Sequence, residues 1–249
     1  TGDITTYYKV NGAADNTYTT TAPTAVGTYT VAVTTLAGGN YCATDDYIEV
    51  GSFEIKCATA TSANFTITNT TFTYNENEQT PTVTPKAGVG AATITYKQEN
   101  TTVASPTNAG TYDIYVTTEA GTGYCPITDA IKIGEFTINK KTVTKEQYTM
   151  SPTTFTYNGE RQVPTINPAS GAGTVISTAY ELNNTTAVAN PTDAGIYTVY
   201  VTSNAGTNYT AASSLYIGSF TIDQKGPTVN DFTYTESKDY TGSSLSADV

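Results

Sequence analysis

Few side chains in this sequence could do chemistry. There is no His among the 249 residues, so a Ser–His or Cys–His nucleophile pair is excluded and the commonest metal ligand is missing. Paired carboxylates can carry acid–base work across a substrate, and the densest acidic group is Asp45, Asp46 and Glu49. That group lacks the alternating Asp/Asn ladder of a calcium loop. Matching positions later in the chain hold Thr128-Asp129 and Ser213-Ser214, which favours a solvated loop over a site. Gln79 and Gln162 occupy matching positions and leave a Thr–Gln ester cross-link open, whereas Lys56, Asn139 and Asp223 differ at one matching position and argue against a repeated Lys–Asn isopeptide. The expectation is a protein that is not an enzyme, with no catalytic residues, no metal and no cofactor.

The matching positions come from an internal repeat. Pro23-Thr-Ala-Val-Gly27-Thr-Tyr29-Thr-Val31, Pro106-Thr-Asn-Ala-Gly110-Thr-Tyr112-Asp-Ile114 and Pro191-Thr-Asp-Ala-Gly195-Ile-Tyr197-Thr-Val199 align without gaps. Each leads to a Gly-containing loop with a Tyr (Tyr41, Tyr124, Tyr209) and a closing apolar strand whose Phe is Phe53, Phe136 or Phe220. These Phe residues stand 83 and then 84 positions apart, and self-similarity at a fixed period marks a repeat architecture. An opening segment reads Phe72-Thr-Tyr74, Phe155-Thr-Tyr157 and Phe232-Thr-Tyr234. The expected organisation is the C-terminal part of a repeat at 1–56, complete repeats at 57–140 and 141–224, and the N-terminal part of a further repeat at 225–249. The two partial segments total 81 residues, about one period. The expectation is therefore that residues 1–56 of an adjacent copy complete the domain begun at 225–249. Strand donation between subunits and one continuous polypeptide both fit.

Within each repeat the apolar period is 2: Tyr112, Ile114 and Val116 share one face, and Thr111, Asp113, Tyr115 and Thr117 the other. That is the pattern of a half-buried antiparallel strand. In the closing strand, Ile131 and Ile133 precede Gly134, and Phe136 and Ile138 resume out of phase, as a Gly-marked β-bulge would require. The 20 Tyr supply buried area that the sparse Leu, Ile, Val and Phe do not, and abundant Thr suits pleated, half-exposed surfaces. The net charge of −11 argues against nucleic acid as a partner. No apolar run reaches the ~20 residues of a membrane-spanning helix, so no membrane insertion is expected.

Asp193-Ala-Gly195-Ile-Tyr197 resembles the tyrosine corner of immunoglobulin-type domains. The resemblance implies that the hydroxyls of Tyr29, Tyr112 and Tyr197 bond back to the preceding turn. Asn108 and Ala25 stand where Asp193 does. The fuller pattern, Tyr-Asn-Gly and later Asn/Asp-Ala-Gly-Thr-Tyr-Thr-Val, resembles MBG-type and related bacterial Ig-like tandem repeats of secreted and cell-surface proteins, over essentially the whole chain. It implies an all-β fold of tandem immunoglobulin-like antiparallel β-sandwiches, about 83 residues per repeat, with about seven short strands in each.

In that topology the start of a domain and the loop before its last strand lie at one pole, which makes Cys57 and Cys125 a candidate disulfide. Cys42 and Cys125, one repeat apart, cannot pair within a chain, because on the order of 40 Å of strand rise separates them. Three reduced thiols remain the alternative. Lys141 and Thr210 stand at the corresponding places of the next repeat. Outward-pointing Tyr115 and Tyr200 are the candidate ligand face. The resemblance implies an extracellular structural unit of a fibre, filament or adhesin stalk, partnered end to end by copies of itself. The alternative is a carbohydrate-binding surface module that holds glycans with exposed Tyr.

Overall fold

The computed structural model describes residues 2–233, 238–239 and 242–243. The fold is all-β, with short 3-10 turns and no α-helix among the described residues. The chain divides into two compact units, residues 1–139 and 140–249.

The first unit holds two sheet systems. In one, β1 (Ile4–Val10), β2 (Gly27–Thr35) and β3 (Ile48–Ile55) form an antiparallel three-stranded sheet in that order. The other uses seven strands: β4 (Phe65–Thr68), β5 (Thr71–Thr73), β6 (Thr82–Pro85), β7 (Ala92–Gln98), β8 (Thr101–Val103), β9 (Gly110–Thr118) and β10 (Ile127–Asn139). Strands β4 and β6 pair with each other, and the remaining five take the order β5-β10-β9-β7-β8. The two sheets meet sandwich-like at one core. Phe65 from the small sheet joins Tyr112, Ile114, Val116, Phe136 and Ile138 from the large one.

The second unit carries β11 (Tyr148–Ser151), β12 (Thr154–Thr156), β13 (Thr165–Pro168), β14 (Val175–Leu182), β15 (Thr186–Val188), β16 (Gly195–Ser203) and β17 (Ala212–Asp223). Strand β11 pairs with β13, and the five-stranded sheet runs β12-β17-β16-β14-β15. Alternation is visible in burial: on β16, Tyr197, Val199 and Val201 are fully inside, and the outward Tyr200 is half-buried.

Local residue choice explains the corners. Hairpin β7–β8 turns at the two residues Glu99-Asn100, both with positive φ, as a two-residue turn matched to strand twist requires, whereas β14–β15 turns through the three residues 183–185, with positive φ at Asn183 and Asn184. Closing strands slip register at Lys132/Gly134 opposite Ile114, and at Gly218 opposite Val199/Tyr200. An added Cβ at Gly134 would come within 2.5 Å of Ile67 Cδ1, and one at Gly218 within 2.7 Å of Met150 Cε. Glycine lets the small sheet close on the bulge.

Two features differ from the sequence-based expectation. One pairing in each seven-stranded set is parallel, β5 with β10 and β12 with β17. The opening run bends at Asn69 (φ 58°) in one set and at the cis Ser151–Pro152 bond in the other. It thereby crosses to the second sheet without reversing direction. The second difference concerns Phe232. Thr61 and Asn64, Thr144 and Gln147, and Thr228 and Asp231 each form a reciprocal cap on a 3-10 turn. Phe65, Tyr148 and Phe232 directly follow these turns. Phe232 therefore corresponds to Phe65 and Tyr148, and not to Phe72 and Phe155 as the Phe-Thr-Tyr tripeptide suggests. Tyr234 and the expected junction of Val249 with Thr1 lie outside the described residues.

Candidate interaction surface

The sheet formed by β1, β2 and β3 is built like the closing part of the other two, yet its apolar face is uncovered. Tyr29 stacks on Phe53 with centroids 5.7 Å apart, as Tyr112 does on Phe136 (5.1 Å) and Tyr197 on Phe220 (5.1 Å). Tyr8 meets Phe53 edge-on at 6.1 Å, as Tyr96 meets Phe136 and Tyr180 meets Phe220. A further ring, Phe72 or Phe155, packs edge-on against Phe136 and Phe220. No such ring accompanies Phe53 among the described residues.

The consequence is exposure. Phe53 is 38% accessible where Phe136 and Phe220 are 1%, and Val50 is 59% where Ile133 and Ile217 are 9% and 8%. Val31 and Val33 are half-buried, while their counterparts Ile114 and Val116 are sealed at 0%. Gly51 has no atom within 4 Å of an added Cβ, the place where Ile67 and Met150 close over Gly134 and Gly218. Beside this face, Tyr8, Val10, Thr19, Pro23, Ala25 and Tyr29 help line a groove of about 460 Å³.

On β2, Tyr29 stays buried at 8%, and Thr30 and Ala32 on the opposite face are buried at 6% and 0%. Ala32 stands directly across the ladder from Tyr7, and the rings of Tyr7, Tyr18 and Tyr47 gather there at 4.3–5.0 Å. The Lys9 ammonium lies in the same cluster, 2.5 Å from Asp15, 2.9 Å from Glu49 and 4.6 Å from the Tyr18 ring centre. These partners raise the Lys9 pKa, and Lys9, with the Tyr18 hydroxyl, holds the Glu49 carboxyl below its usual range. Tyr18 itself is raised, chiefly by desolvation. Glu49 is thus an ion-pair partner of Lys9. Among the described residues no three Cys, Asp or Glu converge on one point.

The remaining sequence candidates fall at separate places. The hydroxyls of Tyr29, Tyr112 and Tyr197 donate to the carbonyl oxygens of Ala25, Asn108 and Asp193, at 3.0, 2.7 and 2.8 Å. The acceptor is backbone, so the side chain at that position is free to vary. Cys57 and Cys125 are joined as a disulfide, Cα atoms 5.0 Å apart, beside the bridge from Ala58 to Tyr124. The corresponding bridge in the second unit is Lys141 to Tyr209. Lys140, not Lys141, therefore stands where Cys57 does, and its ammonium donates to the Gly206 carbonyl at 2.7 Å. Cys42 is free and exposed.

Tyr115 and Tyr200 are half-buried on outward faces. Lys97 sits 4.6 Å over the Tyr115 ring, and the Tyr200 hydroxyl donates to Glu181 at 3.2 Å beside the Tyr216 ring. Both side chains are held within their own sheets. The side-chain carbonyls of Gln79 and Gln162 are buried without a hydrogen-bond partner among the described residues.

No described helix is long and apolar enough to cross a membrane. Comparison with family models and with curated proteins returns no match.

Proposed function

We propose that this chain is a structural unit of an extracellular fibre, filament or adhesin stalk. It is read as a tandem array of immunoglobulin-like sandwiches of the MBG type, with one split sandwich completed between successive copies. The observation that carries this reading is the bared face of β1–β3. Val50, Phe53 and Gly51 lie open where the same positions in two fuller sandwiches are covered. Burying a Phe or Val side chain contributes about 1.5–3 kcal/mol, so this face gains most when another segment covers it. The recurrence of one strand order in both seven-stranded sets supports a serial, repeating design. The Cys57–Cys125 disulfide suits an oxidising, extracellular setting.

Electron microscopy of the purified chain at rising concentration tests the proposal. Thin filaments with a period of about three sandwiches are expected; isolated particles at every concentration would refute it. For the glycan-binding alternative, Tyr115 and Tyr200 are the candidate contacts. Their partners Lys97 and Glu181 favour a packing role for both rings, as cross-strand pairs commonly have.

A further inference from the structure

We infer how the split sandwich is joined, on the basis of the fibre reading above. The segment Gln224–Phe232 of a second copy seats on the open face of β1–β3, with Lys225 bridged to the Tyr41 loop, Gln224 opposite Cys42, and Phe232 in the bared core.

Three independent observations fix this register. The first is the capped turn. Phe65 and Tyr148, each directly after such a turn, are buried to 7% and 6%, whereas Phe232, after the turn capped by Thr228 and Asp231, is 53% exposed. Ala60 and Val143, just before the turns, are also buried, and Pro227 at the same place is exposed. An uncovered plug and an uncovered socket therefore occur in one chain.

The second is a pair of backbone hydrogen bonds. Ala58, three residues before its turn, donates to the Gly123 carbonyl and accepts from the Cys125 amide, both at 2.9 Å. Lys141, three before its own turn, does the same with Asn208 and Thr210, again at 2.9 Å. Three residues before Thr228 is Lys225. The matching loop is that of Tyr41: Gly38 donates to the Tyr41 carbonyl as Gly121 does to Tyr124 and Gly206 to Tyr209. Tyr41 is 64% exposed, and the Asn40 carbonyl and Cys42 amide make neither of the two bonds among the described residues. Lys225 of the second copy supplies both.

The third is the side chain just before the bridge. Cys57 and Lys140 occupy that position, and Cys57 reaches Cys125 across 5.0 Å between Cα atoms. In the split sandwich the two places are held by Gln224 and Cys42, so a thiol already waits on one side. The joint is head-to-tail, and such heterologous contacts propagate into open filaments where the rotation between copies does not close a ring.

A cysteine placed at position 224 tests the seating. The 249-residue chain carrying Gln224→Cys, incubated with oxidised glutathione, is expected to form a ladder of covalent oligomers through Cys42. Gly226→Cys, two residues away, is the register control and should not. Gln224→Cys combined with Cys42→Ser should give only cross-linked heterodimers when mixed with the unmodified chain. Phe232→Ala should weaken association on the order of a hundredfold, the effect of removing a buried Phe ring. Light scattering under reducing conditions separates the two levels of failure. Association that persists while Gln224→Cys and Gly226→Cys cross-link alike overturns this register and leaves the fibre reading standing. Absence of any association overturns both. If Gln224→Cys forms its disulfide with Cys42 only within monomers, the segment closes on its own chain, and the second copy is overturned as occupant.

Discussion

The Tyr112 hydroxyl donates to the carbonyl oxygen of Asn108, four residues earlier, at 2.7 Å, while its ring stacks on Phe136 at 5.1 Å. One side chain ties the turn that enters β9 to the core beneath β10. The Tyr29–Ala25 and Tyr197–Asp193 pairs do the same. Burial raises the pKa of the Tyr112 and Tyr197 hydroxyls, so both remain neutral donors through physiological pH.

Removing that hydroxyl should cost stability without loss of fold. Tyr112→Phe and Tyr197→Phe should each destabilise by about 1 kcal/mol, since a carbonyl is left without its donor. Asn108→Ala should be close to neutral, because the acceptor is backbone. Thermal unfolding followed by near-ultraviolet circular dichroism checks the contrast. An equal loss for Asn108→Ala would contradict it.

The disulfide should stabilise one sandwich only. It closes a separation of 68 residues, and the loss of its constraint on the unfolded chain should cost roughly 2–4 kcal/mol. Chemical denaturation of Cys57→Ser/Cys125→Ser should therefore show an early transition within residues 57–139. The transition of the second unit, where Lys140 and Thr210 stand instead, should keep its midpoint.

The bulge glycine should be intolerant for a reason that can be reversed. Gly134→Ala places its Cβ 2.5 Å from Ile67 Cδ1, and overpacking of this kind costs about 1–3 kcal/mol. Ile67→Val removes that methyl. The double variant should recover part of the loss in urea unfolding, whereas purely additive costs would place the strain in the backbone instead.

Acid should loosen the first sheet. Glu49 is held below its ordinary pKa by Lys9 and the Tyr18 hydroxyl, so the stabilisation is present above the usual carboxylate range. It is lost as pH falls through and below that range. Tyrosine fluorescence between about pH 6 and pH 2 should report the change. Lys9→Gln should flatten the profile. An unchanged profile would mean the pair contributes nothing.

Much of this molecule is legible in its residues. Alternation over Tyr112, Ile114 and Val116, and the phase slip at Gly134, specify strand, face and bulge locally, because side-chain direction in a strand depends only on parity. Gly and Asn at tight corners are equally local, since few residues tolerate positive φ. Other features required the fold. The tripeptide Phe-Thr-Tyr at 72 and 232 misleads, because Phe65, Tyr148 and Phe232 are the residues that keep the spacing of 83 and 84, and the fold shows which Phe follows a capped turn. That depends on whether residue 231 reaches back to residue 228, a contact that exists only once the turn has formed. The parallel pairing of β5 with β10 is likewise invisible, because period and propensity do not encode a partner. Composition also cannot tell a covered apolar face from a bare one. Phe53 and Phe136 sit in near-identical local sequence, and their difference of 38% against 1% exposure is decided by a segment distant in the chain.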